Sequence, residues 1–100
     1  MATELRVKEI VYDDLEAACD WYERRRRGLS SYFMTRVNDC ISRIVAAPSS
    51  FAIACGDYRR ALVKRFPYAV FYQYDGREVT ICAIFHTSRD SGAWQRRLST

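Results

Sequence analysis

The feature that most constrains the fold is a pair of β-type segments separated by a strong turn signal. Residues 69–74 are densely β-branched and aromatic, and residues 78–85 are almost continuously apolar. Asp75-Gly76 between them predicts a type I′ hairpin turn, which needs positive φ at both central residues. A continuous apolar run is typical of a strand covered on both faces. We therefore expect the chain to fold around an antiparallel hairpin with residues 78–85 near the centre of a sheet.

A helix is predicted ahead of these strands. Its apolar residues recur at helical spacing and form one face: Leu15, Ala18, Cys19 and Tyr22. Asp13 or Asp14 is expected to cap its N-terminus, with Asp13 and Glu16 forming a capping box. The basic residues 24–27 suit a helix C-terminus, where free carbonyl groups attract cations. Gly28 is then expected to end the helix.

A second helix follows, with Ser30 or Ser31 as its N-cap. Its apolar stripe consists of Phe33, Val37, Ile41, Ile44 and Val45. Pro48 is expected to end it, because proline does not continue a helix. The short link between the two helices predicts an antiparallel helical hairpin.

The remaining segments complete a β-α-α-β-β-β order. Residues 5–12 and 58–66 alternate in the manner of strands, residues 48–57 form a connection, and residues 88–100 form a basic polar tail. This order predicts an α+β fold in which an N-terminal strand and a helical hairpin pack on one face of an antiparallel sheet. At this length residues 1–100 are expected to form a single domain.

The charge is unevenly distributed along the chain. Basic and acidic residues balance within residues 1–55, and the whole excess of +4 lies in residues 56–100. This asymmetry indicates an acidic partner, either a nucleic acid or an acidic protein segment. No apolar run approaches the roughly 20 residues that span a bilayer, and no charged leader precedes an apolar segment. We therefore expect a cytoplasmic protein without membrane contact.

The cysteines do not predict a metal site. Cys19, Cys40, Cys55 and Cys82 are separated by gaps of 21, 15 and 27 residues, and the chain has a single histidine. These spacings match no Cys-x-x-Cys ligand pair, and disulfides are unusual in the cytoplasm. We expect all four to be small, mostly buried apolar residues, with neither metal nor cofactor bound.

Several strings accompany the element order: Asp14-Leu15 through Trp21-Tyr22, Phe33, Ile44 and Pro48, YRRALVKRFPYAVFYQYDG at 58–76, VTICAIFHTSRD at 79–90 and AWQRR at 93–97. Together they resemble the RelE/ParE superfamily of toxins over residues 5–97. The most specific part is Arg65-Phe66-Pro67-Tyr68 followed by His86-x-x-Arg89-Asp90.

The resemblance implies a toxin encoded beside its antitoxin. The antitoxin would neutralise the toxin with an acidic, initially disordered segment, and DNA contact would occur only through the antitoxin. RelE-like members cut mRNA in the ribosomal A site, whereas ParE-like members bind DNA gyrase and block it. The first activity is enzymatic and the second is inhibition by binding.

The candidate site residues differ between the two activities. A ribonuclease would use Arg60, Lys64, His86 and Arg89 for charge stabilisation and proton transfer. RelE-like toxins also use a tyrosine near the C-terminus, but Trp94 stands in that region and indole has no titratable proton. This departure favours the ParE-like activity. For binding to a target or nucleic acid the candidates are Arg59, Arg60, Lys64, Arg65, His86, Arg89, Arg96 and Arg97.

Several structural alternatives stay open at this point. His86 is either an acid–base group or a hydrogen-bonded structural residue. Arg89 and Asp90 either contact a target, pair with each other or cap the next turn. Trp21 either packs against its neighbours or stacks on a ligand. The aromatic residues Tyr68, Phe71, Tyr72 and Tyr74 suit a sheet core better than a base-stacking platform. A member with a diverged target, an inactive member and a nucleic-acid-binding module without toxicity are further alternatives.

Overall fold

The computed structural model describes residues 3–89 and 91–99. The elements are β1 (Glu4–Val7), α1 (Glu9–Arg25), α2 (Leu29–Ala46), β2 (Ile53–Cys55), β3 (Tyr58–Leu62), β4 (Tyr68–Tyr74), β5 (Glu78–His86) and α3 (Ser91–Leu98). The predicted α+β class and the β-α-α-β-β-β order are confirmed. Two elements were not predicted, since β2 lies in the expected connection and α3 in the expected tail.

The strands form a five-stranded sheet in the order β1-β5-β4-β3-β2. Strands β5, β4, β3 and β2 pair antiparallel, as expected, but β1 pairs parallel to β5. Parallel neighbours need a long crossover connection, which the helical hairpin and the meander together supply. The sheet is therefore mixed, with β1 at one edge.

Both faces of the sheet are covered. The helical hairpin covers one face, where Val11, Phe33, Ile44 and Tyr72 are fully buried. On the other face, α3 packs Trp94 and Leu98 against a second apolar cluster on β4 and β5. Strand β5 contributes to both clusters, so the prediction of a strand covered on two faces is confirmed. The helices are not confined to one face, because α3 lies opposite the hairpin.

The boundary between β1 and α1 lies earlier than predicted. The strand ends at Val7 rather than at residue 12, and the helix begins at Glu9 after an N-cap at Lys8. Val11 is fully buried because it continues the helical stripe one turn ahead of Leu15. The caps predicted at Asp13 and Asp14 are therefore wrong, since both residues lie inside α1.

The junction between the helices is capped differently from the prediction. Arg26 is the C-cap of α1, and Gly28, with φ of 87°, is the N-cap residue of α2. Ser30 lies inside α2 and does not cap it. Instead, the Glu23 carboxylate accepts hydrogen bonds from Gly28 N–H (2.9 Å), Ser30 N–H (3.1 Å) and the Ser30 hydroxyl (2.7 Å). These bonds lower the pKa of Glu23, because they favour its charged form.

The predicted hairpin between β4 and β5 is confirmed, but its turn type is wrong. Gly76 has a φ of 97°, whereas Arg65 is the one non-glycine residue with positive φ in the described chain. Asp75 therefore lacks the conformation that a type I′ turn requires. Its carboxylate accepts hydrogen bonds from the N–H groups of Arg77 (2.9 Å) and Glu78 (2.7 Å), and these bonds stabilise the turn.

The cysteines are free thiols, and two of them match the prediction. Cys40 and Cys82 are buried, Cys19 is half-buried and Cys55 is exposed on β2. The expectation of burial is wrong for Cys55 because the connection in which it lies forms an edge strand. Among the described residues, no helix is long and apolar enough to cross a membrane, and no cluster of metal-ligating side chains occurs.

Candidate functional site

The structure brings four of the predicted residues to one end of the sheet. Tyr68 is paired with His86 in the β4–β5 register, and Thr87 N–H donates to Pro67 O (2.8 Å). The β3–β4 connection therefore lies beside the C-terminal end of β5. It carries two exposed cations, and β5 is followed by a third. We call this region the basic end and define it as Lys64, Arg65, His86 and Arg89.

The β3–β4 connection presents its cations by means of a strained turn. Arg65 has a φ of 74°, a conformation that costs a non-glycine residue about 1 kcal/mol or more. Phe66 next to it is buried and packs edge-on against Tyr22 (ring centroids 4.9 Å apart) and Phe33 (5.1 Å). The buried aromatic ring holds the turn in place while Lys64 and Arg65 remain exposed.

Aromatic side chains orient the third cation of the basic end. The Arg89 guanidinium donates from Nη2 to the Tyr68 hydroxyl (2.9 Å), and its Cζ lies 4.5 Å from the centre of the Trp21 ring. The Cζ of Arg25 lies 4.1 Å from the same ring. Cation–π contacts of this kind hold a guanidinium in place without neutralising its charge. Of the two alternatives for Trp21, the structure shows packing against its neighbours.

His86 shapes the turn that follows β5. Its Nδ1 accepts hydrogen bonds from the N–H groups of Ser88 (3.1 Å) and Arg89 (2.9 Å). The neutral ring therefore carries its proton on Nε2. The ring also lies edge-on to Tyr68, with centroids 5.4 Å apart. His86 thus has a structural role in positioning Arg89, whereas the hypothetical contact of Arg89 with Asp90 lies outside the described residues.

The other predicted cations lie elsewhere. Arg59 donates from Nη1 to Phe51 O (2.6 Å) and to Ser49 O (3.3 Å), so it fastens the connection ahead of β2. Arg60 is exposed and pairs in register with Phe71, which places it on the α3 side of the sheet. Arg96 is exposed on α3. The sequence alone did not show that Arg59, Arg60 and Arg96 lie away from the basic end.

Arg97 forms an ion pair that the sequence did not predict. Its guanidinium makes two hydrogen bonds to the Asp14 carboxylate (2.7 and 2.9 Å), and the Asp14 side chain is only 6% exposed. Asp14 Oδ2 also accepts from Ile84 N–H (3.1 Å). Two residues before Ile84, the pairing of β5 with β4 is interrupted by a bulge: Phe71 pairs with Ala83 and Tyr72 with Ile81, so Cys82 has no partner on β4. Such a bulge reverses the direction of the following N–H groups, which explains why Ile84 N–H points towards α1.

A groove lies between α1 and the C-terminal part of the chain. Its volume is about 430 Å³, and it runs from the Asp14–Arg97 pair to the Trp21–Arg89 contact. Apolar side chains of α1 and β5, among them Ala17, Ala18 and Ile84, line it. The groove therefore joins the basic end to an apolar surface, a combination that suits a protein segment better than a bare phosphate backbone.

Three tyrosines of the described chain have pKa values that are shifted away from proton transfer near neutral pH. Burial raises the pKa of Tyr22, Tyr58 and Tyr72, which makes their phenolate forms less accessible. Trp94 is stacked on Phe71 with ring centroids 4.8 Å apart, so it serves as packing under α3. The basic end thus offers exposed cations and one imidazole.

No protein-family model matches the sequence, and no curated protein matches it at a significant level. The structure resembles a chain from a solved structure described as "Chromosomal ParDE TA system from P. aeruginosa". The TM-score is 0.77 at 15% sequence identity, and the match covers 87% of this chain and 98% of the other. The chain has the fold of a ParDE-system protein. The fold implied by the family resemblance in the sequence is therefore confirmed.

Proposed function

We propose that this chain is the toxin of a type II toxin–antitoxin pair and that it inhibits DNA gyrase by binding to it in the cytoplasm. The observation that carries the proposal is the likeness in fold to a ParDE-system chain over most of both chains. The exposed basic end and the excess of positive charge after residue 55 support an acidic antitoxin as the neutralising partner.

Binding is favoured over catalysis by the chemistry at the basic end. General acid–base catalysis needs groups whose protons are available near neutral pH. The Nδ1 atom of His86 is occupied by two backbone N–H groups, and burial raises the pKa of the nearby Tyr22. By contrast, Lys64, Arg65 and Arg89 form an exposed cationic surface in which Tyr68 and Trp21 already orient Arg89. Such a surface suits the recognition of a protein target.

A ribosome-dependent mRNA endonuclease is the second candidate. It is supported by the location of Lys64, Arg65, His86 and Arg89 at one end of the sheet, where the cations could hold a phosphate and the imidazole could transfer a proton. Under this alternative Arg60 takes no part in the reaction, because it lies on the α3 side of the sheet and not at the basic end.

Expression of the chain alone is expected to arrest bacterial growth, and co-expression of an adjacently encoded acidic protein is expected to restore it. The restoring complex should withstand about 1 M salt, because exposed ion pairs each contribute at most about 1 kcal/mol and a stable complex also needs buried apolar anchors. Growth curves with and without the partner, and gel filtration of the complex in high salt, measure both expectations. Normal growth at high levels of folded chain would argue against a toxin.

The two activities are separated by testing His86→Gln in gyrase supercoiling and in ribosome-dependent mRNA cleavage. His86→Asn is tested beside it, because the Asn Oδ1 atom takes the position of Nδ1 and can accept the two backbone N–H bonds that shape the turn. For a gyrase inhibitor we expect both variants to inhibit supercoiling within about threefold of wild type, because inhibition by binding needs no proton transfer. For a ribonuclease either change should slow cleavage by roughly 10²–10⁴-fold while leaving ribosome binding intact. Cleavage of mRNA on ribosomes that is lost in both variants would replace the gyrase proposal with the second candidate.

A further inference from the structure

Strand β1 leaves one edge of the sheet open for pairing. Glu4 N–H donates to Arg77 O and Lys8 N–H donates to Ile81 O, both at 3.1 Å, so the even-numbered residues direct their backbone groups towards β5. Backbone groups alternate in direction along a strand. The N–H and C=O groups of Leu5 and Val7 therefore point to the outer edge. The C=O of Thr3 points there too, because it belongs to the same trans peptide as the Glu4 N–H that donates to β5.

The side chains of β1 follow an acidic–apolar–basic order. Glu4 and Arg6 are exposed, and Leu5 between them is 47% exposed. This order is self-complementary about a two-fold axis through Leu5, because an antiparallel copy places each Glu4 opposite an Arg6. We propose that a second copy of this chain pairs with β1 in this antiparallel register and extends the sheet across the dimer axis.

The backbone direction agrees with this register. Leu5 would exchange two hydrogen bonds with the partner's Leu5, and the C=O of each Thr3 would accept a hydrogen bond from the N–H of the partner's Val7. All of these residues have outward-pointing backbone groups. Opposed Glu4 and Arg6 side chains on the two strands would lie about 5 Å apart at Cβ, which is close enough for an ion pair.

Other arrangements of two β1 strands are disfavoured by charge. A parallel in-register pair places Glu4 on Glu4 and Arg6 on Arg6, and like charges directly opposite each other are destabilising. An antiparallel register shifted by one residue places Leu5 opposite a charged side chain. The charges of β1 therefore select the register centred on Leu5.

The other sheet edge lacks these properties. Strand β2 has three residues, and its register with β3 shifts between Ile53 and Cys55. The β1 edge is also followed directly by two exposed apolar side chains of α1, Ile10 (42% exposed) and Tyr12 (59%). Since β1 pairs with the start of β5 and the basic end follows the end of β5, a β1 dimer leaves the basic end open. One strand pair buries little area, so the dimer should be weak and dependent on concentration.

Charge-exchanged variants test the register directly. Glu4→Arg alone and Arg6→Glu alone should each lower the dimer association constant at least about tenfold, because each change turns two attractive pairs into repulsive ones. A 1:1 mixture of the two variants should recover association, since every Arg then faces a Glu. Sedimentation equilibrium of the purified full chain, with no residues added before Met1, measures all three samples.

Two matched controls carry the same changes in charge away from β1. Asp39→Arg on α2 and Arg24→Glu on α1 alter exposed residues and should associate as the wild type does. Failure of the mixture to recover association would overturn the proposal. A wild-type chain that stays monomeric up to about 1 mM would also overturn it, and so would equal association by all the variants.

Cross-linking gives a second and independent measurement. In a Cys55→Ser background, which removes the exposed thiol, Leu5→Cys should form a disulfide-linked dimer on oxidation. Opposed residues in a hydrogen-bonded pair lie about 5.5 Å apart at Cα, within the range of a disulfide. Leu62→Cys in the same background is the control, since Leu62 is 57% exposed but lies on β3. Equal cross-linking of the two variants would contradict the proposed register.

Discussion

Reversing both exposed charges of the β3–β4 connection, in a Lys64→Glu, Arg65→Glu double variant, is expected to weaken gyrase inhibition by about a hundredfold. The two cations are carried by a turn that Phe66 anchors in the core, so the backbone of this turn does not have to be ordered when a target binds. Losing a favourable contact and gaining a repulsive one costs about 1.4 kcal/mol at each position, or about tenfold each. The loss should shrink as the ionic strength rises.

The inhibitory concentration in a supercoiling assay at several salt concentrations measures this effect. Arg60→Glu with Arg96→Glu is the matched control, because it makes the same change in net charge on the α3 side of the sheet. The melting temperatures should be compared as well. Glutamate and arginine both carry a Cβ atom, so the strain at position 65 is unchanged. Equal losses in the two double variants would mean that net charge alone, and not the basic end, determines inhibition.

The helical hairpin and the β4–β5 hairpin could be predicted because their signals are local and long. Phe33, Val37 and Ile44 repeat over about three turns of α2, and Asp75-Gly76 lies directly between two apolar strands. The start of α1 was misplaced because Val11 fits both the alternation of a strand and the spacing of a helix. Only the burial of Val11 in the apolar cluster between the hairpin and the sheet decides between the two.

The candidate site could be predicted only in part, because the sequence shows which residues are basic but not which of them lie together. Lys64, Arg65, His86 and Arg89 were candidates from the sequence, and the pairing of β4 with β5 brings them together. Arg59 is also a cation, but its guanidinium donates to Phe51 O in the connection ahead of β2. Its neighbours in the sequence do not distinguish it from the cations of the basic end. Short basic stretches indicate that a charged surface exists, whereas the register of the sheet decides which cations share it.

Nothing in the local sequence indicates the Asp14–Arg97 pair. Of the substitutions that we propose, we expect those that remove this pair to lower the stability of the fold most. The two residues are 83 positions apart, and the pair joins α1, β5 and α3 because Asp14 also accepts Ile84 N–H. Breaking a buried ion pair on one side costs about 3–5 kcal/mol. Arg97 is a quarter exposed, so water can take over part of the lost interaction. We therefore expect Asp14→Ala to lower the free energy of unfolding by about 2–3 kcal/mol.

Chemical denaturation of Asp14→Ala, Arg97→Met and the double variant measures both the cost and the coupling of the pair. The double variant should be more stable than the sum of the single changes predicts, by about 1 kcal/mol or more, because it leaves no buried charge without its partner. Asp13→Ala is the control, since Asp13 is exposed and should cost less than about 0.5 kcal/mol. Additive single changes would mean that Asp14 acts through Ile84 N–H, and α3 would then be held mainly by Trp94 and Leu98 against β4 and β5.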